Sequence, residues 1–141
     1  MENTIIQWNC RGLKANFNEI LLLLTAFNPS IFCLQETFLK ENDHTTFKDY
    51  TLYNHICKTG ERASEGSTIM VDSRLPHSQI PLNTNMQAVA VRVTLHRVIT
   101  VCSVYIPPNS KIDKKQLEDL TSQLPTPFIL LGDFNGHNPM W

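Results

Sequence analysis

Residues 4–35 constrain this chain more than any other stretch. Thr4 to Asn9 (TIIQWN) reads as a strand and is followed by a polar turn, CRGLKA. From about Asn16 to Phe27, apolar Phe17, Ile20, Leu21, Leu24 and Phe27 recur at helical spacing, and Asn28-Pro29 stops the helix. Ser30 to Gln35 (SIFCLQ) is then an almost continuous apolar run of strand length, which suits a central strand buried on both faces. Strand, helix and buried strand in succession predict a β-α-β unit with parallel strands, and so the α/β class.

The middle has a different texture. Strands are predicted at Tyr50 to Cys57, Ser67 to Val71, Met86 to Leu95 and Arg97 to Ile106, with only turns between them. Val89, Val91, Val93 and Leu95 alternate with Ala88, Ala90, Arg92 and Thr94, so one face is drier than the other. Short connections of this kind predict antiparallel meanders. A second helix is predicted over about Asp113 to Leu124, with Leu117, Leu120, Thr121 and Leu124 on one side. Pro125 and Pro127 then bracket entry into Phe128 to Leu131 (FILL), another buried-strand pattern. These elements alone suggest one mixed sheet with helices on one side.

Composition narrows the function classes. A length of 141 residues fits one domain, and 42% apolar residues suffice for a core. Twelve Lys and Arg against thirteen Asp and Glu give a net charge of −1, which excludes a polybasic DNA wrapper and an acidic disordered tail. Ile20 to Phe27 is too short an apolar stretch to span a bilayer, and MENTIIQWNC lacks the positive start of a secretory signal. The expectation is an intracellular protein with no membrane partner. Cys10, Cys33, Cys57 and Cys102 form no CxxC pair, and Cys33 and Cys102 lie in apolar runs, where a thiol behaves as a small hydrophobe.

Polar residues at strand ends show where chemistry belongs. Asn9 ends the first strand, Glu36 follows the second, Tyr105 lies near the end of the 97–106 strand, and Asp133 with Asn135 follows the last. In α/β sheets, ligands gather outside the carboxyl ends of strands, so these groups can converge. Two carboxylates and two amides are oxygen ligands suited to Mg²⁺ or Mn²⁺. Taken singly, each also has a plain structural reading. Asn9 and the Gly132-Asp133-Phe134-Asn135-Gly136 loop are ordinary turn formers, Glu36 can cap or meet solvent, and Tyr105 can sit in the core with its hydroxyl outward.

Four blocks carry a resemblance: WNCRGL at 8–13, NPSIFCLQET at 28–37, SVYIPP at 103–108 and LLGDFNGHNPMW at 130–141. Together they resemble an endonuclease/exonuclease/phosphatase domain, of the apurinic-type endonuclease kind carried by non-LTR retrotransposons. The blocks stand in the family's order from end to end of the chain. The resemblance implies a four-layer α/β/β/α sandwich and metal-dependent cleavage of a DNA phosphodiester, whose nick primes retrotransposition in the nucleus. By motif, it implies Glu36 as the principal Mg²⁺ ligand, with Mn²⁺ as a substitute, and Asn9 as support for metal and phosphate. It implies that Tyr105 hydrogen-bonds the phosphate or the attacking water. Asp133 would deprotonate that water and Asn135 would hold the developing anion. His137 matches a His common in retroelement members but receives no role.

The same resemblance implies a continuation. The family carries a Ser-Asp-His block after GDFN, and no such block occurs in this sequence. Residues 1–141 therefore read as a partial domain, whose partners would be the missing C-terminal half and a reverse transcriptase domain of a full-length protein. On this reading the chain supplies mainly one of two packed sheets, with an open apolar inner face and loose packing. A non-catalytic relic that binds nucleic acid or a partner, and a small-molecule phosphatase of the same superfamily, are the alternatives. Among the scattered basic residues, which include Lys58, Arg62 and Arg74, Arg11 and Lys14 just after Asn9 are the candidates for DNA contact.

Overall fold

A computed structural model describes residues 2–56, 65–108 and 110–135. Cys57, Lys58, Arg62 and His137, with the rest of the 136–141 block, lie outside the described residues. The chain runs β1 (Ile5–Asn9), α1 (Phe17–Phe27), β2 (Ile31–Gln35), β3 (Tyr50–His55), β4 (Ser67–Asp72), β5 (His77–Ile80), β6 (Gln87–Thr94), β7 (Val98–Tyr105), α2 (Lys114–Ser122) and β8 (Phe128–Asp133). Two four-stranded sheets result, ordered β1-β2-β4-β3 and β5-β6-β7-β8. The single sheet that the elements alone suggested is thus corrected to two packed sheets with a helix on each outer face, the α/β/β/α sandwich that the resemblance implied.

Both sheets follow one plan. β1 and β2 are parallel across α1, β7 and β8 are parallel across α2, and the other pairs are antiparallel. On the outer face of the first sheet, Ile20 and Leu24 of α1 pack with Phe32, Leu34 and Met70. On the outer face of the second, Leu120 and Leu124 pack with Ala88, Ala90, Cys102 and Val104. Between the sheets, Ile31, Cys33, Ile69 and Val71 meet Val89, Val91, Val93 and Val101. These side chains are at most 3% exposed, and each large aliphatic one buried this way stabilises the fold by about 1.5–3 kcal/mol. The expected open inner face is therefore closed. The 77–105 strands do not extend the first sheet but build a second one over it.

The unforeseen strand explains the difference. β5 (HSQI) is short and polar, and it pairs with β6 rather than with β4, although only residues 73–76 separate it from β4. The chain changes sheets at this turn. Asp72 fixes it by accepting the Arg74 backbone N–H at 3.0 Å, Arg74 Nε at 3.0 Å and Arg74 Nη2 at 2.7 Å. The Arg74 hydrogen bonds hold the Asp72 carboxyl below the usual carboxylate range.

Helix ends are built by different means. Asp113 and Gln116 form a reciprocal capping box at α2, with Gln116 N donating to Asp113 Oδ1 at 2.8 Å and Asp113 N donating to Gln116 Oε1 at 3.1 Å. At α1, Asn16 makes no side-chain cap but turns back, donating Nδ2 to the Cys10 carbonyl at 2.7 Å. That bond folds the 9–16 loop onto the first strand. The described cysteines Cys10, Cys33 and Cys102 are buried and unpaired with one another, and burial pushes the Cys102 thiol up to about 12. Among the described residues, no helix is long and apolar enough to cross a membrane.

Candidate active site

Along six of the strands, the row that faces the other sheet changes from apolar to polar at the same end. β1 runs Ile5, Gln7, Asn9; β2 runs Ile31, Cys33, Gln35; β7 runs Val101, Ser103, Tyr105; β8 runs Ile129, Leu131, Asp133. β4 and β6 run the opposite way and begin there with Ser67 and Gln87. The site is thus the end of the inter-sheet layer where hydrophobic filling stops.

Three of the expected residues are in direct contact. Asn9 Nδ2 donates to Asp133 Oδ2 at 2.7 Å and also to Glu36 Oε2. Asp133 Oδ1 accepts the Asn135 backbone N–H at 3.0 Å, and Asn135 Nδ2 donates to the Ile106 carbonyl at 3.1 Å. Tyr105 is buried and lies opposite Asp133 in the β7–β8 register. Burial, then the charges of Glu36, Glu65 and Asp133, push its phenol up to about 12, so it stays a hydrogen-bond donor at neutral pH.

The backbone is bent at the same points. Arg11, Glu36, Glu65 and Asn135 are non-glycine residues with φ of 48°, 52°, 60° and 52°. Such conformations cost roughly 1–2 kcal/mol each and persist only where neighbours fix them. At Glu36, the N–H donates to the Gly66 carbonyl at 2.9 Å and the carbonyl accepts Gly12 N at 2.7 Å. The carboxylate is thereby held off the strand line and over the gap between sheets.

The structure separates the two basic candidates. Arg11 is exposed, and its backbone N–H donates to Asn9 Oδ1 at 3.2 Å. Lys14 is exposed but engaged with Asp43 at 2.8 Å, which offsets part of its charge. Glu65 and Gln87 were missed by sequence reasoning. Gln87, opposite Tyr105 on β6, donates to Glu65 and accepts Gly66 N at 2.8 Å, so a third carboxylate stands near the phenol. The available signal was a polar residue leading an otherwise apolar strand.

The donor set is all oxygen, with Glu36 and Asp133 gathered around one amide. Among the described residues no cluster of three or more His, Cys, Asp or Glu side chains forms a closed metal cage. Two carboxylates of this kind are the donor type that a hard cation such as Mg²⁺ would take, beside waters and substrate phosphate oxygens.

Comparison with known proteins shows where this sequence and this fold recur. The chain is 28% identical over 138 residues to the RNA-directed DNA polymerase from mobile element jockey of Drosophila melanogaster, covering 95% of this chain and 15% of that protein. It is 25% identical over 140 residues to the probable RNA-directed DNA polymerase from transposon X-element of Drosophila melanogaster, covering 97% and 15%. The chain thus spans only a small part of these relatives' length. Its fold matches the endonuclease domain of TRAS1, a telomere-specific non-LTR retrotransposon, with a TM-score of 0.76 at 23% identity, covering 99% of this chain and 63% of that one. An AP endonuclease from Archaeoglobus fulgidus matches with a TM-score of 0.59 at 18% identity, covering 94% and 57%. The profile of the Endonuclease/Exonuclease/phosphatase family matches residues 6–141, and the chain belongs to that family.

Proposed function

We propose that this chain is the N-terminal part of a metal-dependent DNA endonuclease that nicks target DNA for a non-LTR retrotransposon. The observation that carries this reading is the Asn9 amide joined to both Glu36 and Asp133 at the end of the inter-sheet layer. A hard divalent cation, Mg²⁺ or Mn²⁺, held by Glu36 with Asn9 beside it supplies the charge neutralisation an anionic phosphodiester needs. Asp133 takes the proton as water adds to phosphorus and the ester P–O bond breaks. Tyr105, protonated at neutral pH, donates to a phosphate oxygen or to the water, and Asn135 donates to the developing anion. Arg11 and Lys14, on the loop after Asn9, contact the DNA backbone.

The partial-domain reading is supported by the free edges of β1 and β8, which lie side by side and pair with nothing among the described residues. Phe128 and Ile129 on β8 are 37% and 39% exposed. A continuation of the chain would pair there and bring the Ser-Asp-His block, with a reverse transcriptase domain beyond it and a nuclear DNA target.

A supercoiled-plasmid nicking assay tests the proposal. Nicking is expected with Mg²⁺ from this chain or from one extended past Trp141, and its loss is expected with EDTA and in Asp133→Ala. Nicking that survives EDTA or Asp133→Ala overturns the assignment. Absence of nicking in both lengths favours a non-catalytic relic.

A further inference from the structure

Directly beneath the site, a buried polar network joins the two sheets, through Gln35 and Ser67 of the first and Ser103 of the second. Gln35 is fully buried and donates Nε2 to Ser103 Oγ on the opposite sheet at 3.1 Å. Its Oε1 accepts Gln7 Nε2 at 2.5 Å. Ser103 Oγ also pairs with Ser67 Oγ at 2.9 Å, and Ser67 Oγ reaches the Ser103 carbonyl at 3.3 Å. Gln35 immediately precedes Glu36, and Ser103 lies two residues before Tyr105 on the same face of β7.

The site itself is divided between the sheets: Asn9 and Glu36 come from the first, Tyr105, Asp133 and Asn135 from the second. Aliphatic packing between two sheets is non-directional and tolerates sliding, whereas a hydrogen bond fixes distance and angle. We infer that Gln35 is a positioning residue, whose bridge to Ser103 sets the offset of the two sheets so that Asn9 can clamp Glu36 to Asp133. This rests on the nuclease reading for its effect on rate, but not for its effect on geometry.

The Gln35 arm of the bridge can be removed without leaving an orphaned buried group, while Ser67, also on the first sheet, keeps its own link to Ser103. In Gln35→Met, Ser103 keeps Ser67 as a partner, and Gln7 is exposed to water. In Gln35→Met with Ser103→Ala, Ser67 keeps the Ser103 carbonyl as an acceptor. Replacing both members of a pair by apolar groups of similar shape is close to neutral for stability.

The experiment compares the parent chain with both variants by melting temperature, by the Asn9 side-chain amide signals in ¹⁵N NMR, and by nicking kinetics. The expected result is a nearly unchanged melting temperature, displaced Asn9 amide signals, and kcat lower by about 10²-fold with KM for DNA little changed. Asn9 signals that stay at the parent positions overturn the inference. So does unchanged kcat in a nicking-competent parent background, because the bridge is then only structural. If neither the parent chain nor one extended past Trp141 nicks, the nuclease reading falls and the Asn9 signals alone decide positioning.

Discussion

The side-chain amide of Asn9, at the end of β1, donates a 2.7 Å hydrogen bond to Asp133, at the end of β8 on the other sheet. The same nitrogen donates to Glu36, so one neutral donor holds two carboxylates that would otherwise repel. Removing it in Asn9→Leu leaves both charges facing each other without a shared partner. Nicking should fall by about 10²-fold, the loss typical of a fixed electrostatic donor, measured as initial rates on supercoiled plasmid.

Tyr105 gives a pH signature. Its folded-state pKa is raised to about 12, above the ordinary phenol value, so between these values the unfolded chain releases a proton that the folded chain keeps. Stability from this source is complete below the unfolded value and is lost as pH rises towards 12. Tyr105→Phe should flatten the decline of the denaturation midpoint with pH over that window, and it should lower kcat at neutral pH by losing the hydroxyl.

Asp72 gives the opposite sign. Its carboxyl is lowered by the Arg74 hydrogen bonds, so its contribution is present above the unfolded carboxylate value and disappears as pH falls through the folded one. Asp72→Asn should melt earlier than the parent at neutral pH, and the two melting curves should converge in acid.

Gly132 is fixed by close approach. A Cβ at this position would lie 1.8 Å from the Val104 carbonyl oxygen on β7. Gly132→Ala should push β8 from β7 and cost about 3 kcal/mol or more by chemical denaturation, displacing Asp133 with it.

Charge reversal tests the DNA contacts. If Arg11 and Lys14 each neutralise one phosphate, Arg11→Glu with Lys14→Glu should weaken DNA binding and reduce the salt slope by about two units. Lys14→Glu also breaks the Asp43 pair, so Asp43→Ala serves as the control and should leave the slope unchanged or steeper.

Much of this was legible in residues 4–37 and 103–135. The apolar runs ending in Asn9, Gln35-Glu36 and Asp133 marked strands whose polar ends could meet, and the structure brings Asn9, Glu36 and Asp133 into contact. Glu65 and Gln87 were not legible, because a polar residue at the start of a strand carries no sign of which carboxylate it holds. Gln35 was hidden for a related reason. β2 is buried on both faces, so Phe32 and Leu34 against the helix look no different from Ile31 and Cys33 against the other sheet.

The sequence by itself determined the helices, most of the strands and the direction in which polar residues gather, since these follow from periodicity and turn chemistry within a few residues. Only the tertiary structure decided that the chain changes sheets between Asp72 and His77. A short turn demands that neighbouring strands be close in space, but not that they share hydrogen bonds. The choice is made by what the strands bury. The Val89, Val91, Val93 and Val101 rows leave water by lying on Ile31, Cys33, Ile69 and Val71, and that closure carries Tyr105 and Asp133 to Asn9 and Glu36.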